Sequence, residues 1–299
     1  MSRLSEKLAD AWRLALHHAL RMTPVTFASL LGVILVQCVV RTSRRHVISS
    51  ARKNLKFHRP DATDAQISRS VNVFLNNIGR VMAEFSVLDK IFAQGRVRLN
   101  MANSAQALAG KAPVIGLVLH TGNWEIFGPA LRHAGLPVSS FYAPPANGAE
   151  RRVAEAIRRK MGFELLTPDR RGIRRSIELL RQNATVAIFV DEARAGCTLA
   201  PLFGRPPHTQ GNLAIAARLA RSTGAQFVIG HCERIEACRF QLHVSAPFGL
   251  PETNEGLLSD VAFLNDQIEP VVFRNLDSWY FLDDELAPIV PAPNRAART

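Results

Sequence analysis

The residues best suited to chemistry in this chain are a histidine and a glutamate in His-x4-Glu spacing, His120 and Glu125. They follow the apolar run 114–119, which predicts a buried β-strand. The carboxyl end of a strand is the edge at which open α/β folds usually hold their active sites. From the start of a following helix, Glu125 can reach back to the imidazole of His120, fix its tautomer and raise its basicity. Such a base can deprotonate an alcohol during acyl transfer.

The residues between this pair suit a tight turn from strand to helix. Gly122 and Asn123 favour that turn, and Trp124 follows as a possible wall of the site. A second acidic feature, Asp191-Glu192, follows the apolar run 185–190 and is predicted to lie at the same edge of the sheet. For Glu192 the sequence leaves two interpretations open, a capping role in the next turn and a role in the site.

The stretch 120–125, which reads HTGNWE, resembles the His-x4-Asp/Glu signature of the bacterial lipid A acyltransferases. Their relatives include the acyltransferases of mycobacterial phosphatidylinositol mannosides. The resemblance covers nearly the whole chain, because further landmarks of the family occur in the family's order. These are Ala51-Arg52-Lys53-Asn54-Leu55 with Pro60-Asp61, Asn76 to Arg80 with Glu84, Val190-Asp191-Glu192, Pro201-Leu202-Phe203-Gly204, and Leu219 to Ala225.

This resemblance implies direct acyl transfer to a hydroxyl, with acyl carrier protein or coenzyme A as the thioester donor and with no metal and no further cofactor. An arginine in the helix around 153–161 is implied to bind phosphate or the oxyanion, because its planar fork can make two parallel hydrogen bonds. The implied catalytic residues are His120, Glu125 and Asp191, and the implied substrate or oxyanion contacts are Arg158, Arg159, Asn123, Phe203 and Gly204.

The sequence departs from the family at two places. Ala143 stands where the lipid A enzymes often carry an arginine, and the acidic run Leu282-Asp283-Asp284-Glu285 stands where they are commonly basic. Both regions are expected to help choose or orient the acceptor. Two acceptor classes therefore stay open: a lipid A precursor, or another polar lipid such as a related glycolipid, a phospholipid or an aminolipid.

Charge is distributed unevenly along the chain. Lys and Arg exceed Asp and Glu by 37 to 25, and no acidic residue lies between Asp10 and Asp61. The uncharged stretch 22–40 in that interval, at ~1.5 Å per residue, is long enough for a helix that matches a bilayer's hydrocarbon core. Basic residues after it fit the positive-inside pattern. We therefore expect an N-terminal helix on the inner membrane, spanning or interfacial, with the catalytic part in the cytoplasm. The basic residues are Arg41, Arg44, Arg45, Arg52, Lys53, Lys56 and Arg59.

Alternating strand and helix patterns predict an α/β fold with a mostly parallel sheet flanked by helices, similar to the glycerolipid acyltransferases. Three regions are expected: a membrane-associated segment (1–60), an acyltransferase domain (61–287) and a flexible tail (288–299). The helix Asp64–Glu84 is expected to be capped by Thr63. Strands are predicted at 114–119, 138–142, 163–166, 185–190, 226–231 and 240–244, and further helices at 125–134, 153–161, 172–181, 211–222 and 257–272.

Two other classes of function compete with an enzyme. A membrane-binding homologue without activity would have lost His120 or Glu125, and both are present. A pI of about 10.5 is typical of nucleic-acid-binding proteins, but two Tyr and three Trp are few for a base-stacking surface. The sequence has no HExxH, P-loop, GxGxxG or GxSxG motif. The four cysteines show no metal-site spacing, so reduced thiols are expected.

Overall fold

A computed structural model describes residues 3–285, apart from 102–103, 105–106, 144–147, 161–163, 195 and 254. The predicted tail 288–299 lies outside these residues. The helices are α1 (Arg3–Met22), α2 (Val25–Ser43), α3 (Arg45–His58), α4 (Asp64–Glu84), α5 (Leu88–Ala93), α6 (Phe127–His133), α7 (Gly148–Lys160), α8 (Arg170–Arg181), α9 (Gly211–Thr223) and α10 (Leu257–Arg274). The strands are β1 (Val97–Asn100), β2 (Val114–Val118), β3 (Val138–Phe141), β4 (Glu164–Leu166), β5 (Thr185–Phe189), β6 (Ala193–Arg194), β7 (Cys197–Thr198), β8 (Gln226–Glu236) and β9 (Arg239–Val244).

Seven strands form one sheet in the order β1-β9-β8-β2-β5-β3-β4, and helices pack on it. All neighbouring pairs in this sheet are parallel except β8 and β9, which form an antiparallel hairpin. This confirms the predicted α/β fold. Strand β2 is buried along its whole length, as expected for a central strand of a covered parallel sheet. Its neighbour β5 pairs in register up to Val118 opposite Phe189, so the chain leaves both strands at one edge.

The long periodic elements were predicted most closely. Helix α4 has the predicted bounds, and Thr63 caps it in a reciprocal capping box with Gln66. The edge strand β1 was not predicted, because its four residues alternate between half-buried and exposed and give no apolar run. The helix expected from Glu125 begins instead as a 3-10 turn, Trp124–Ile126, before α6. Helix α7 begins at Gly148, before the predicted start at Val153.

Helix α2 is long and apolar enough to cross a membrane, by length and composition alone, and it is the one such helix among the described residues. It packs closely on α4. A Cβ on Gly32 would lie 2.1 Å from the Gly79 carbonyl oxygen, and a Cβ on Gly79 would lie 2.4 Å from that of Gly32. The two backbones therefore touch, which requires glycine on both helices. One face of α2 is thus bound to the sheet domain, while large apolar side chains on its other face are exposed.

Candidate functional site

His120 lies just beyond β2 and is held by backbone contacts on two sides. Its N–H donates to the Asp191 carboxylate over 2.8 Å, and its carbonyl oxygen accepts from the N–H of Tyr280 over 2.9 Å. The side chain is mostly covered, with 18% of its surface exposed. These contacts bring together the ends of β2 and β5 and the segment after α10. The imidazole therefore has little freedom to change its position.

The carboxylate that orients the imidazole is Asp191. Its Oδ1 lies 2.7 Å from His120 Nδ1, and its Oδ2 accepts from Trp279 Nε1 over 2.9 Å as well as from the His120 backbone. Asp191 is fully buried. Because an ionised carboxylate can only accept, Nδ1 carries the proton and Nε2 is left to take one. This geometry is that of the His–Asp pair of general-base catalysis.

This arrangement corrects the expected role of Glu125. The sequence predicts that Glu125 orients the imidazole of His120, but the hydrogen-bond partner of His120 Nδ1 is Asp191. Glu125 lies in the 3-10 turn after His120, is half-buried and lines the same cavity. The reason is topological: β2 and β5 are paired neighbours, so Asp191 reaches His120 across the sheet edge. His120, Glu125 and Asp191 nonetheless come together in one region.

A cavity of about 720 Å³ opens beside His120 and the 3-10 turn. Its volume lies within the range of small-molecule sites. Polar side chains, among them His120 and Glu125, form part of the lining, and the remaining walls are largely apolar, as an acyl chain requires. The apolar lining residues include Leu16, Leu20, Val81, Met82, Phe85, Phe127, Val138, Phe141, Val153, Ala154, Leu165, Ile173, Ile188 and Ile215.

Aromatic rings surround the imidazole. The Phe189 ring is 4.4 Å from it, the Phe281 ring 5.1 Å and the Trp124 ring 5.4 Å, measured between centroids. Trp124 lines the cavity as predicted. These rings limit the access of water to His120 and lower the local dielectric constant. Electrostatic contacts with a reacting group are therefore stronger than in water.

A buried ionic network holds the turn that carries His120. Both terminal nitrogens of Arg234 donate to the fully buried Glu84 carboxylate, over 2.7 and 2.9 Å. Asn77 Nδ2 donates to the carbonyl oxygen of Gly122 over 2.9 Å. Gly122 has φ 56°, and a Cβ there would lie 2.3 Å from the Cys232 carbonyl oxygen. Only glycine fits this position, which explains the glycine in the motif.

Asn123 belongs to this network and not to a substrate site. Its side chain is fully buried and donates from Nδ2 to Glu84 Oε2 over 2.9 Å. It is absent from the lining of the cavity among the described residues. The described structure therefore gives Asn123 a structural contact and no support for the expected contact with substrate. A single sequence cannot distinguish a polar turn residue that faces ligand from one that faces a buried carboxylate.

The other expected substrate contacts lie elsewhere. Phe203 has φ 62°; its N–H donates to Glu269 over 2.6 Å, and its ring packs on His58 and Trp279. Neither Phe203 nor the exposed Gly204 is part of the cavity lining in the described part of the chain. The ring of Phe203 instead supports Trp279, which donates to Asp191. Arg158 and Arg159 lie on α7, but their side chains are outside the described residues.

Three contributors were missed by the sequence analysis. Trp279 donates to Asp191, and the Glu84–Arg234 pair supports the turn. Glu84 lies in a segment that resembles the family, but nothing in the spacing of these three residues indicates their contacts. Within the described residues, no group of three or more His, Cys, Asp or Glu side chains is arranged to hold a metal ion.

Glu192 lies in the cavity with His120. Its Oε1 accepts from the backbone N–H of Asn212 over 2.8 Å, at the start of α9. Burial, with a smaller contribution from the neighbouring Asp191 charge, raises the pKa of Glu192 to about 8. The Glu192 carboxyl group therefore contacts the first turn of the distant helix α9 instead of the turn that follows Glu192, and Glu192 also lines the cavity.

Comparison with known proteins adds to this geometry. The chain matches the family model described as bacterial lipid A biosynthesis acyltransferase over residues 4–286. A search of curated proteins finds no match. The family match spans the oriented histidine, the buried Asp191 and the helices that line the cavity. The chain therefore belongs to the bacterial lipid A biosynthesis acyltransferase family.

Proposed function

We propose that this acyltransferase moves a fatty acyl chain from the thioester of an acyl carrier protein or coenzyme A to a hydroxyl of a lipid A precursor or a related glycolipid. The observation that carries the proposal is the His120–Asp191 pair, 2.7 Å apart, beside a largely apolar cavity of about 720 Å³. The pair supplies a base, and the apolar walls supply room for an acyl chain.

In the proposed reaction, His120 Nε2 takes the proton of the acceptor hydroxyl as its oxygen attacks the thioester carbonyl carbon. Asp191 stabilises the imidazolium that forms. Collapse of the tetrahedral intermediate breaks the carbon–sulfur bond, and the departing thiolate receives the proton from His120. The products are an ester and a free thiol. The thioester is already activated, so the reaction needs no covalent acyl-enzyme.

The acceptor is best identified by direct assay. The purified protein would be incubated with acyl carrier protein or coenzyme A thioesters of several chain lengths and with four acceptors: a lipid A precursor, a lipid A precursor without phosphates, a phospholipid and an aminolipid. Mass spectrometry should show one added acyl group on a glycolipid. Total lipids from cells with and without the gene should differ by the same group. Acylation of the phospholipid or the aminolipid alone would replace the proposed acceptor.

We propose that the N-terminal helices bind the cytoplasmic face of the inner membrane with α2 in the interface. Ser29 on α2 donates to the fully buried Glu84 over 2.7 Å, so this face belongs to the protein core. A spanning α2 would draw the polar network of α4 into the bilayer, at high cost. The opposite face suits lipid, because its exposed apolar residues follow helical spacing. They are Phe27, Leu30, Ile34, Leu35 and Val39.

The basic residues that follow the uncharged stretch 22–40 fall into two groups. Arg52 and Lys56 lie 3.3 and 2.9 Å from Asp64, and Arg59 lies 2.6 Å from Asp277. The other four are exposed and have no acidic partner among the described residues, so they are suited to anionic headgroups. They are Arg41, Arg44, Arg45 and Lys53.

Replacing these four exposed residues by Gln is expected to weaken binding to anionic vesicles by roughly 1 kcal/mol for each residue that reaches the surface. The difference from the unchanged protein should shrink as salt shortens the Debye length. Vesicle sedimentation across a salt series measures it. Arg52→Gln with Lys56→Gln removes two charges that are already paired with Asp64; this control variant should bind nearly normally. Equal losses in both variants, or undiminished binding in the fourfold variant, would contradict the assignment. Part of the intact protein should also come off membranes in a carbonate wash.

A further inference from the structure

Glu192 is a cavity residue that the reaction described above does not use. It lines the same cavity as His120. One carboxyl oxygen, Oε1, is occupied by the N–H of Asn212 over 2.8 Å. The other, Oε2, is buried and has no hydrogen-bond partner among the described residues. A buried polar atom without a partner is costly to the folded protein. Its position in a substrate cavity therefore points to a partner that arrives with the ligand.

The surroundings of Glu192 favour its neutral form. Burial is the largest cause that raises the pKa of Glu192, and the adjacent carboxylate of Asp191 raises it further. The hydrogen bond from Asn212 and the charge of Arg194 lower it. The pKa of Glu192 is about 8. At neutral pH the Glu192 side chain is therefore mostly in its neutral, protonated form. Because Oε1 accepts from Asn212, the proton lies on the unpartnered Oε2. The other titratable side chains that line this cavity are Arg13, His17, His120, Glu125, Tyr142, Asp169 and Arg194.

The backbone donors beside His120 are already occupied. The N–H groups of His120, Thr121 and Gly122 donate to Asp191, Leu119 and Ser278 over 2.8, 2.9 and 3.2 Å. The turn therefore does not offer these amides to a substrate. Acyl transfer places negative charge on the carbonyl oxygen of the thioester, and a donor aimed at that oxygen accelerates the reaction. A neutral carboxylic acid in an apolar site can supply such a donor.

We propose that Glu192 donates a hydrogen bond from its protonated Oε2 to the carbonyl oxygen of the acyl thioester. The bond strengthens as the acceptor oxygen attacks and negative charge develops. The proton stays on Glu192 throughout, so the proton balance between the acceptor, His120 and the departing thiol is unchanged. This role rests on the proposed function and would complement the arginine that the family resemblance places on α7.

The test compares Glu192→Gln and Glu192→Ala with the unchanged protein, using an acyl carrier protein thioester and a glycolipid acceptor from pH 6 to 10. The unchanged protein should lose kcat as pH rises through about 8, because a carboxylate cannot donate. The Gln variant keeps an N–H donor and an oxygen for Asn212. It should keep kcat at pH 7 within about tenfold and lose the alkaline decline, whereas the Ala variant should lose about 10²- to 10³-fold in kcat.

The acidic side of the pH profile should be the same for all three proteins, because only Glu192 differs between them. Thermal unfolding of each variant shows whether losing the Glu192 contact with Asn212 at the start of α9 destabilises the fold. The exposed variant Glu236→Gln is the control for both unfolding and activity. An unchanged alkaline decline in the Gln variant would overturn the proposal, and so would a normal kcat in the Ala variant. If the unchanged protein transfers no acyl chain at all, the proposed function fails first. If the unchanged protein is active but the Gln variant keeps the alkaline decline and the Ala variant keeps its kcat, only the role of Glu192 is overturned.

Discussion

Asp191→Asn is expected to lower kcat for acyl transfer by about 10³- to 10⁴-fold while leaving the fold intact. Oδ2 of Asp191 accepts two N–H donors, from the His120 backbone and from Trp279. The amide oxygen of Asn therefore stays on that side, and the amide nitrogen turns toward His120 Nδ1. The imidazole must then hold its proton on Nε2, where it cannot accept one from the acceptor hydroxyl. The base is lost although every side chain keeps its place.

The informative comparison is Glu125→Gln, because both residues are acidic neighbours of one histidine and only Asp191 contacts Nδ1. Steady-state kinetics of the two variants, with circular dichroism to confirm folding, would rank the two carboxylates. We expect the larger loss for Asp191→Asn. If Glu125→Gln loses more activity than Asp191→Asn, then Glu125 orients the base during turnover and the assignment from the static geometry is wrong.

Arg234→Met is expected to lower the free energy of unfolding by about 3–5 kcal/mol. The change removes both charged hydrogen bonds to a carboxylate that has no exposed surface, and so leaves the charge of Glu84 without its cation. Ser29 and Asn123 still donate to that carboxylate, but neither neutralises it. Activity should fall as well, because the network supports the turn that carries His120. Denaturant unfolding in detergent measures the first effect.

A double variant makes this prediction specific. Adding Glu84→Gln to Arg234→Met removes the buried charge and should recover part of the lost stability. The matched control is Arg239→Met, which breaks an exposed ion pair with Glu236 at 3.3 Å and should cost less than about 1 kcal/mol. Equal destabilisation by Arg234→Met and Arg239→Met would show that the Glu84–Arg234 pair does not hold this region together.

The sequence was sufficient for six of the seven strands of the sheet and for the edge at which the chemistry lies. Apolar runs as short as 114–119 and 185–190 favour buried strands, and the ends of paired strands then place His120 and Asp191 together. The capping signal at Thr63 fixed the start of α4 because it is local. The short edge strand β1 lacked such a signal, since half of its side chains face solvent.

The partners within the site were harder to predict than the elements. Hydrogen bonds between residues distant in sequence, such as Trp279 to Asp191, depend on how strands and loops meet in space. Spacing favoured Glu125 because it is near His120 in sequence, and pairing of β2 with β5 favoured Asp191 instead. Likewise, Asn123 was assigned to substrate because the sequence did not reveal the buried Glu84 beside it.

The most direct test of the account is the rate of acyl transfer by His120→Ala. The purified variant would be compared with the unchanged protein and with His133→Ala, an exposed histidine outside the cavity, using an acyl carrier protein thioester and a glycolipid acceptor. Product would be counted by mass spectrometry, and unfolding and vesicle binding would be measured in parallel. We predict that His120→Ala folds and binds membranes normally but loses at least about 10³-fold in kcat. Acyl transfer by His120→Ala at a near-normal rate would contradict the assignment of His120 as the base.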